Sequence, residues 1–167
     1  EIVIKLDPML TASENANKYY AKYNKAKRTR AAAAEQKKQT EEELNYLESV
    51  LTSIESSEDD SDIREIKAEL AAQGYIKAKK IPKGKTQGLK KSKPMHFVSS
   101  DGIDIYVGKS NVQNDELTIK FADSDDIWLH TKNIPGSHVI IKCGSETPPD
   151  RTIVEAAVIA ATYSKAK

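Results

Sequence analysis

A single cysteine, Cys143, in 167 residues excludes an internal disulfide and fits a reducing compartment. Hydrophobic residues make up only 38% of the chain against 31% charged ones. That balance is too apolar-poor for every segment to enter a packed core, so part of the chain is expected as an exposed helix. No apolar run approaches the roughly 20 residues needed to cross a bilayer, and no secretory leader is recognisable. The chain starts at Glu1 without Met and stops in a helical pattern at Ala166-Lys167, as expected of a fragment truncated at its C-terminus. A net charge of +1 excludes a uniformly basic or acidic surface, but it hides strong segregation along the chain.

What is present falls into two halves with different periods. From Ala12 a heptad register runs through Ala16, Tyr19, Tyr23, Ala26, Arg30, Ala33, Lys37, Thr40, Leu44, Leu47, Leu51 and Ile54. This is a coiled-coil pattern, apolar towards its end and polar in its middle. Thr11 or Ser13 is placed to cap it, with Glu14 in the first turn. Asp62-Ile-Arg-Glu65 reads as a capping box opening a second helix that stops at Gly74. Residues 1–76 are thus expected as a coiled-coil arm with helices over about 11–56 and 62–73, paired as an antiparallel hairpin around Leu44 to Ile54. Residues 77–94 form a basic, Pro- and Gly-bearing linker that cannot bury a core and is expected to be mobile.

From residue 95 the period is two. His96-Phe-Val-Ser99 and Ile103-Asp-Ile-Tyr-Val107 flank a Ser100-Asp-Gly102 turn, the signature of a hairpin. A short helix is expected within Val112 to Ala122, buried strands at Ile127-Trp-Leu-His130 and His138-Val-Ile-Ile141, and a final helix from Thr152 to Lys165 after Pro148-Pro-Asp150. Ile153, Ala156, Ala157, Ala160 and Ala161 would form that helix's packing face. The fold class is α+β: an α-helical coiled-coil hairpin followed by a small α+β domain over residues 95–167.

Charge carries the first functional argument. Lys18, Lys22, Lys25, Lys27, Arg28 and Arg30 lie in a stretch with no acid between Glu14 and Glu35. Lys77, Lys79, Lys80, Lys83, Lys85, Lys90, Lys91 and Lys93 lie in another, between Glu69 and Asp101, and Lys109 follows. Acids gather instead at Glu55, Glu58, Asp59, Asp60 and Asp62. Two acid-free basic stretches suit phosphate contact that weakens as salt rises; a solvated helix face and a soluble linker would carry the same charges. Tyr19, Tyr20 and Tyr23 beside the first block would stack on bases or pack a helix seam.

The second argument is the clustering of the one Trp and two of three His within fourteen positions, in Asp126-Ile-Trp-Leu-His130 and Ile134-Pro-Gly-Ser-His-Val139. His130, His138 and Cys143 lack a zinc spacing and a fourth ligand, so no metal is expected, and no Ser-His-acid or paired-carboxylate set is visible. Both imidazoles are expected to bond with Asp126, Ser137 or backbone, while His96 has no companion. Pro135-Gly136 would make a type II turn exposing Ser137 and His138, with Trp128 mainly buried. Gly108-Lys-Ser110 lacks the leading glycine of a phosphate loop, which excludes nucleotide hydrolysis.

Several motifs follow one another in the order of a known family. Asp7-Pro-Met-Leu-Thr11, Asn15-Ala-Asn-Lys-Tyr-Tyr-Ala-Lys-Tyr-Asn-Lys25, Glu42-Glu-Leu-Asn-Tyr-Leu47, Ile66-Lys-Ala-Glu-Leu70 and Gly74-Tyr75 resemble the coiled-coil region of the fibronectin-binding protein A (NFACT) family. Ser99-Ser-Asp-Gly102, Val107-Gly-Lys-Ser-Asn111, Gln113-Asn-Asp115 and the two Trp and His motifs above resemble its C-terminal NFACT-R domain. The resemblance marks Asn111, Gln113, Asn114, Asp115, Asp126, Trp128, His130, Pro135, Gly136, Ser137 and His138 as motif residues. It implies a bacterial, cytoplasmic factor of ribosome-associated quality control that binds the obstructed large ribosomal subunit and tRNA. There it would support C-terminal tailing of stalled chains, with no cofactor and no catalytic activity of its own, alongside further N-terminal domains. Relatives described as fibronectin- or fibrinogen-binding adhesins imply an alternative role at the bacterial cell surface, without membrane insertion.

Overall fold

The computed structural model describes residues 2–77 and 92–166. Helix α1, Ala12–Glu55, precedes α2, Asp60–Ala72; strands β1, Met95–Val98, and β2, Asp104–Val107, lead into α3, Asn111–Glu116. A π-helical turn, Leu117–Phe121, continues α3, and β3, Ile127–Leu129, β4, Val139–Ile141, and α4, Asp150–Thr162, complete the α+β fold. The chain divides into two compact units, Glu1–Leu44 and Asn45–Lys167. Lysines 79, 80, 83, 85, 90 and 91 of the basic linker lie outside the described residues.

In the first unit Thr11 closes a reciprocal box at the start of α1. The Glu14 amide donates to Thr11 Oγ1 at 3.3 Å and the Thr11 amide donates to Glu14 Oε2 at 2.7 Å. Asn15, buried at 3% exposure, fastens the preceding segment through paired bonds with the Asp7 backbone. The heptad positions from Ala12 to Leu44 are all solvent-exposed among the described residues.

In the second unit the last turns of α1 pack with the sheet domain, and not through the expected leucines. Leu47, Leu51 and Ile54 are exposed, whereas Val50 and, on α2, Ile66 are buried. Polar contacts set this choice of face. Asn111 donates its amide to Ser49 on α1 and Glu69 on α2, at 3.0 and 2.9 Å, and Tyr46 stacks on Tyr75 with 5.6 Å between centroids. The cap of α2 is Asp59 rather than Asp62. Asp62 instead takes the third helical position of a box in which each carboxylate accepts from the other's backbone. Gly74, at φ +84°, ends α2 with amide bonds from Tyr75 to Leu70 and from Gly74 to Ala71, the Schellman pattern.

The four strands are antiparallel throughout, in the order β1-β2-β4-β3. Alternation gives one face Met95, Ile105, Val107, Val139 and Ile141, which α4 covers with Ala156 and Ala160. Small residues on that helix let its backbone approach the sheet; Thr152 takes the same buried stripe, while Ala157 and Ala161 face solvent. The opposite face carries a cross-strand row His96, Tyr106, Ile140, Trp128. The π-helical turn lies against this row, with Phe121 edge-on to Tyr106 at 4.7 Å. Ile140 is fully buried, but Trp128 at the far end, on edge strand β3, remains 48% exposed. The expectation of a buried Trp failed because the covering turn does not extend over the edge strand.

Candidate nucleic-acid interface

In the first unit, Lys18, Lys22 and Lys25 recur at i, i+4 and i+7 and so share one side of α1. Lys27 and Arg30 fall on the other side, so the block is partly dispersed around the helix. It is scarcely neutralised. Lys18 pairs with Asp7 at 3.3 Å, and among the described residues none of Lys22, Lys25, Lys27, Arg28 and Arg30 has a carboxylate within salt-bridge distance. Lys22 lies over the Tyr19 ring at 5.6 Å, and Tyr19, Tyr20 and Tyr23 are all exposed. Among the described residues the tyrosines do not pack a seam; with Ile4, Leu6 and Ala16 they line a shallow apolar recess.

Lys109 was expected among the phosphate-contacting cations and is instead internal, at 9% exposure. Its ammonium meets Asp62 at 3.2 Å and Glu58 at 3.5 Å, so two acids of the expected cluster serve to hold it. Asp62 is 2% exposed. Burial alone would raise its pKa, but hydrogen bonds from Ser92, the Glu58 amide and Lys109 outweigh burial and hold it below the usual carboxylate range. Lys109 is correspondingly raised: the Asp62 carboxylate outweighs burial. Lys77 and Lys93 are exposed.

In the second unit, extending the β3–β4 register by one step sets His130 opposite His138 beyond the Leu129–Val139 pair. Trp128 stacks on His130, two residues along the same strand face, with 5.8 Å between centroids and 21° between planes. His138 meets both edge-on, at 5.2 Å from Trp128 and 5.3 Å from His130. The imidazoles do not use Asp126 or Ser137 as partners. His138 bonds instead through Nδ1 to Thr118 Oγ1 at 2.8 Å, and its amide donates to Asn114 Oδ1 at 2.9 Å. The Thr118 oxygen also lies 2.9 Å from the Asn114 carbonyl; when its hydroxyl donates there it accepts from His138, and in that tautomer Nδ1 carries the hydrogen and Nε2 is the acceptor of the neutral ring. Burial, and then His130, push the His138 pKa below its ordinary value, which keeps the ring neutral. Sequence reasoning missed Thr118; only the widened π-helical turn brings it to His138.

The remaining motif residues fix this arrangement in place. Asn114, 6% exposed, also donates to Gly136 O at 3.4 Å. A Cβ at Gly108 would stand 2.2 Å from Asn114 Oδ1, so glycine there makes room for the clamp. Gln113 donates to Glu65 at 2.9 Å and accepts from the Lys109 amide at 3.1 Å. Pro135 and Gly136 do not form a type II turn, because the left-handed residue is Asn133, at φ 57°. Glycine is needed at 136 for closeness: the segment bridges to Ser164, whose Cβ would lie 2.8 Å from an added Cβ. Ser137, expected at the surface, is buried at 8% with its amide donating to Tyr163 O at 2.9 Å. Asp126 is held by Lys142 at 2.5 Å and by the Asp123 and Gly144 amides. His96, expected to be alone, bonds to Asp104 at 2.7 Å and stacks on Tyr106.

His130 and His138 also line a polar cleft of about 390 Å³, with Asn45, Ser49, Asn111 and Asp115 among its walls. Asp115 is exposed at the cleft, and Lys132, exposed, precedes the lining residue Asn133 in sequence. Among the described residues no group of three or more His, Cys, Asp or Glu is placed to hold a metal ion, and no helix is long and apolar enough to cross a membrane.

Known proteins resemble this chain along its whole length. Residues 1–88 match the NFACT N-terminal and middle domains, and residues 93–167 match the NFACT protein RNA binding domain. The Rqc2 homolog RqcH of Bacillus subtilis is 45% identical over 99% of this chain, which spans 29% of that protein's length. Ribosome quality control complex subunit 2 of Saccharomyces cerevisiae is 34% identical over 42% of the chain and 7% of its own length. The solved C-terminal part of the fibronectin/fibrinogen-binding protein from Streptococcus suis superposes with a TM-score of 0.78 at 39% identity, over 92% of this chain and 61% of that one. On two family matches that together take in nearly every residue, with the motif order and sheet now described, this chain belongs to the NFACT family.

Proposed function

We propose that this chain is the RNA-gripping part of a cytoplasmic ribosome quality-control factor. In this reading it binds the obstructed large ribosomal subunit and tRNA and supports C-terminal tailing of stalled chains. It contributes binding only, with no catalytic group and no cofactor. The observation that carries the reading is the set of exposed, unneutralised cations on α1, in a chain whose relatives include a protein named for ribosome quality control. Exposed lysines at helical spacing hold phosphates by releasing counterions, which makes binding steeply salt-dependent. The test is co-sedimentation with large ribosomal subunits across a salt series. Lys22 and Lys25 each changed to Gln should lower the slope of log affinity against log salt by roughly 1.4–1.8, at about 0.7–0.9 for each phosphate no longer neutralised. Binding indifferent both to salt and to these changes would sink the reading.

A second reading has one observation in its favour, the likeness to a protein named for fibronectin and fibrinogen binding. Fibronectin binding that survives physiological salt, without ribosome association, would select it.

A further inference from the structure

The geometry points to Trp128, with His130 and His138, as a stacking site for one unpaired nucleobase of RNA. This rests on the RNA-binding reading above and adds where on the domain a base would sit and which form of RNA would be taken. Three observations carry it. First, the one tryptophan of the chain is 48% exposed at the end of a sheet row whose neighbour Ile140 is fully buried. A large flat ring left half exposed at an edge strand, with His130 stacked on it, keeps area for a partner rather than for the core. Second, the two imidazoles beside it are fixed before any ligand arrives. His138 is held at its ring by Thr118 and at its backbone by Asn114, and His130 is stacked on Trp128 itself. A preorganised platform loses little freedom on binding. Third, the platform adjoins the polar cleft, since both imidazoles also line it.

The groups at that cleft are suited to a base edge. The Asp115 carboxylate accepts hydrogen bonds, as does His138 Nε2 in the tautomer whose Nδ1 donates to Thr118, and both match the exocyclic amino groups of adenine, cytosine and guanine. Lys132, exposed in the turn two residues after His130, supplies a cation for the flanking phosphate. A base within a duplex has both faces stacked and cannot reach the ring, so the site takes loops, bulges or ends.

Trp128 reports its own occupancy. Its fluorescence in the full chain should be quenched by a single-stranded RNA of about ten nucleotides, and much less by a fully paired hairpin of matched composition. Trp128→Ala should weaken single-strand binding about tenfold or more, by polarisation of a labelled RNA, while Trp128→Phe keeps most of it. The ring is half exposed, so both variants should fold; circular dichroism checks this. Equal response to paired and unpaired RNA, or Trp128→Ala within about twofold of the parent, would overturn the stacking site. If in that case RNA is still bound and the lysine changes on α1 still weaken it, the functional reading stands and this inference alone fails. If no RNA binds at low salt, both fail.

Discussion

Replacing Lys109 with Met removes one charge from the interior while keeping an unbranched side chain one atom shorter. The ammonium stands 3.2 Å from Asp62, with side-chain exposures of 10% and 0%. At an effective dielectric of about 20 that attraction is worth roughly 5 kcal/mol, set against the burial cost of both ions. The partner Glu58 is 64% exposed and adds little. After the change Asp62 keeps its bonds from Ser92 and from the Glu58 amide at 3.0 Å, so the loss should fall at the low end for a broken buried pair, about 3 kcal/mol. For a chain of this size that lowers Tm by roughly 6–12 °C. Asp62→Asn in the same background removes the stranded charge and leaves an oxygen for Ser92 and the amide. The double variant should therefore recover about 2 kcal/mol of the loss. Urea unfolding followed by Trp128 fluorescence reads this in the unit that holds the pair. A Lys109→Met variant within about 0.5 kcal/mol of the parent, or a double variant whose loss equals the sum of the single losses, would refute the reasoning.

Asp126 has a depressed folded pKa because Lys142 and two amides outweigh its burial. Its stabilisation is present above the unfolded value near 3.9 and is lost as pH falls through the folded value. Asp126→Asn should cost about 1.5–3 kcal/mol at neutral pH and flatten the acid limb of the stability profile, measured by urea unfolding across pH. Gly136→Ala, placing a Cβ 2.8 Å from that of Ser164, should cost about 1–3 kcal/mol by thermal denaturation, and no loss would mean that the strap after α4 yields freely. Thr118→Val removes the acceptor at His138 Nδ1. Nitrogen NMR should then show the neutral ring shifting towards the Nε2–H tautomer; an unchanged tautomer would contradict the assigned donor.

Most elements were legible where a local rule decided them. The cap at Thr11, one of the two offered with Ser13, the stop at Gly74, the turn at Gly102 and the two-residue period of the strands each depend on neighbours within a few positions. Two local expectations failed, since Asp59 rather than Asp62 caps α2 and Pro135-Gly136 makes no type II turn; the other wrong expectations concern which side of an element is covered. Heptad spacing nominates Leu47, Leu51 and Ile54 as a seam, but the polar hooks Ser49, Asn111 and Glu69 turn the opposite side of α1 inward. Lys109 reads as one more basic residue until Asp62, 47 positions earlier in sequence, is found beside it.

The sequence by itself determined the family, the α+β class, the segregation of charge and the eight-residue spacing that brings His130 and His138 together, because periodicity and composition act locally. Tertiary structure alone decided which cations stay free for a partner, that Trp128 is left half exposed, and that Thr118 and Asn114 hold His138. Each of these depends on what an element distant in sequence covers or bonds, and no local pattern encodes that.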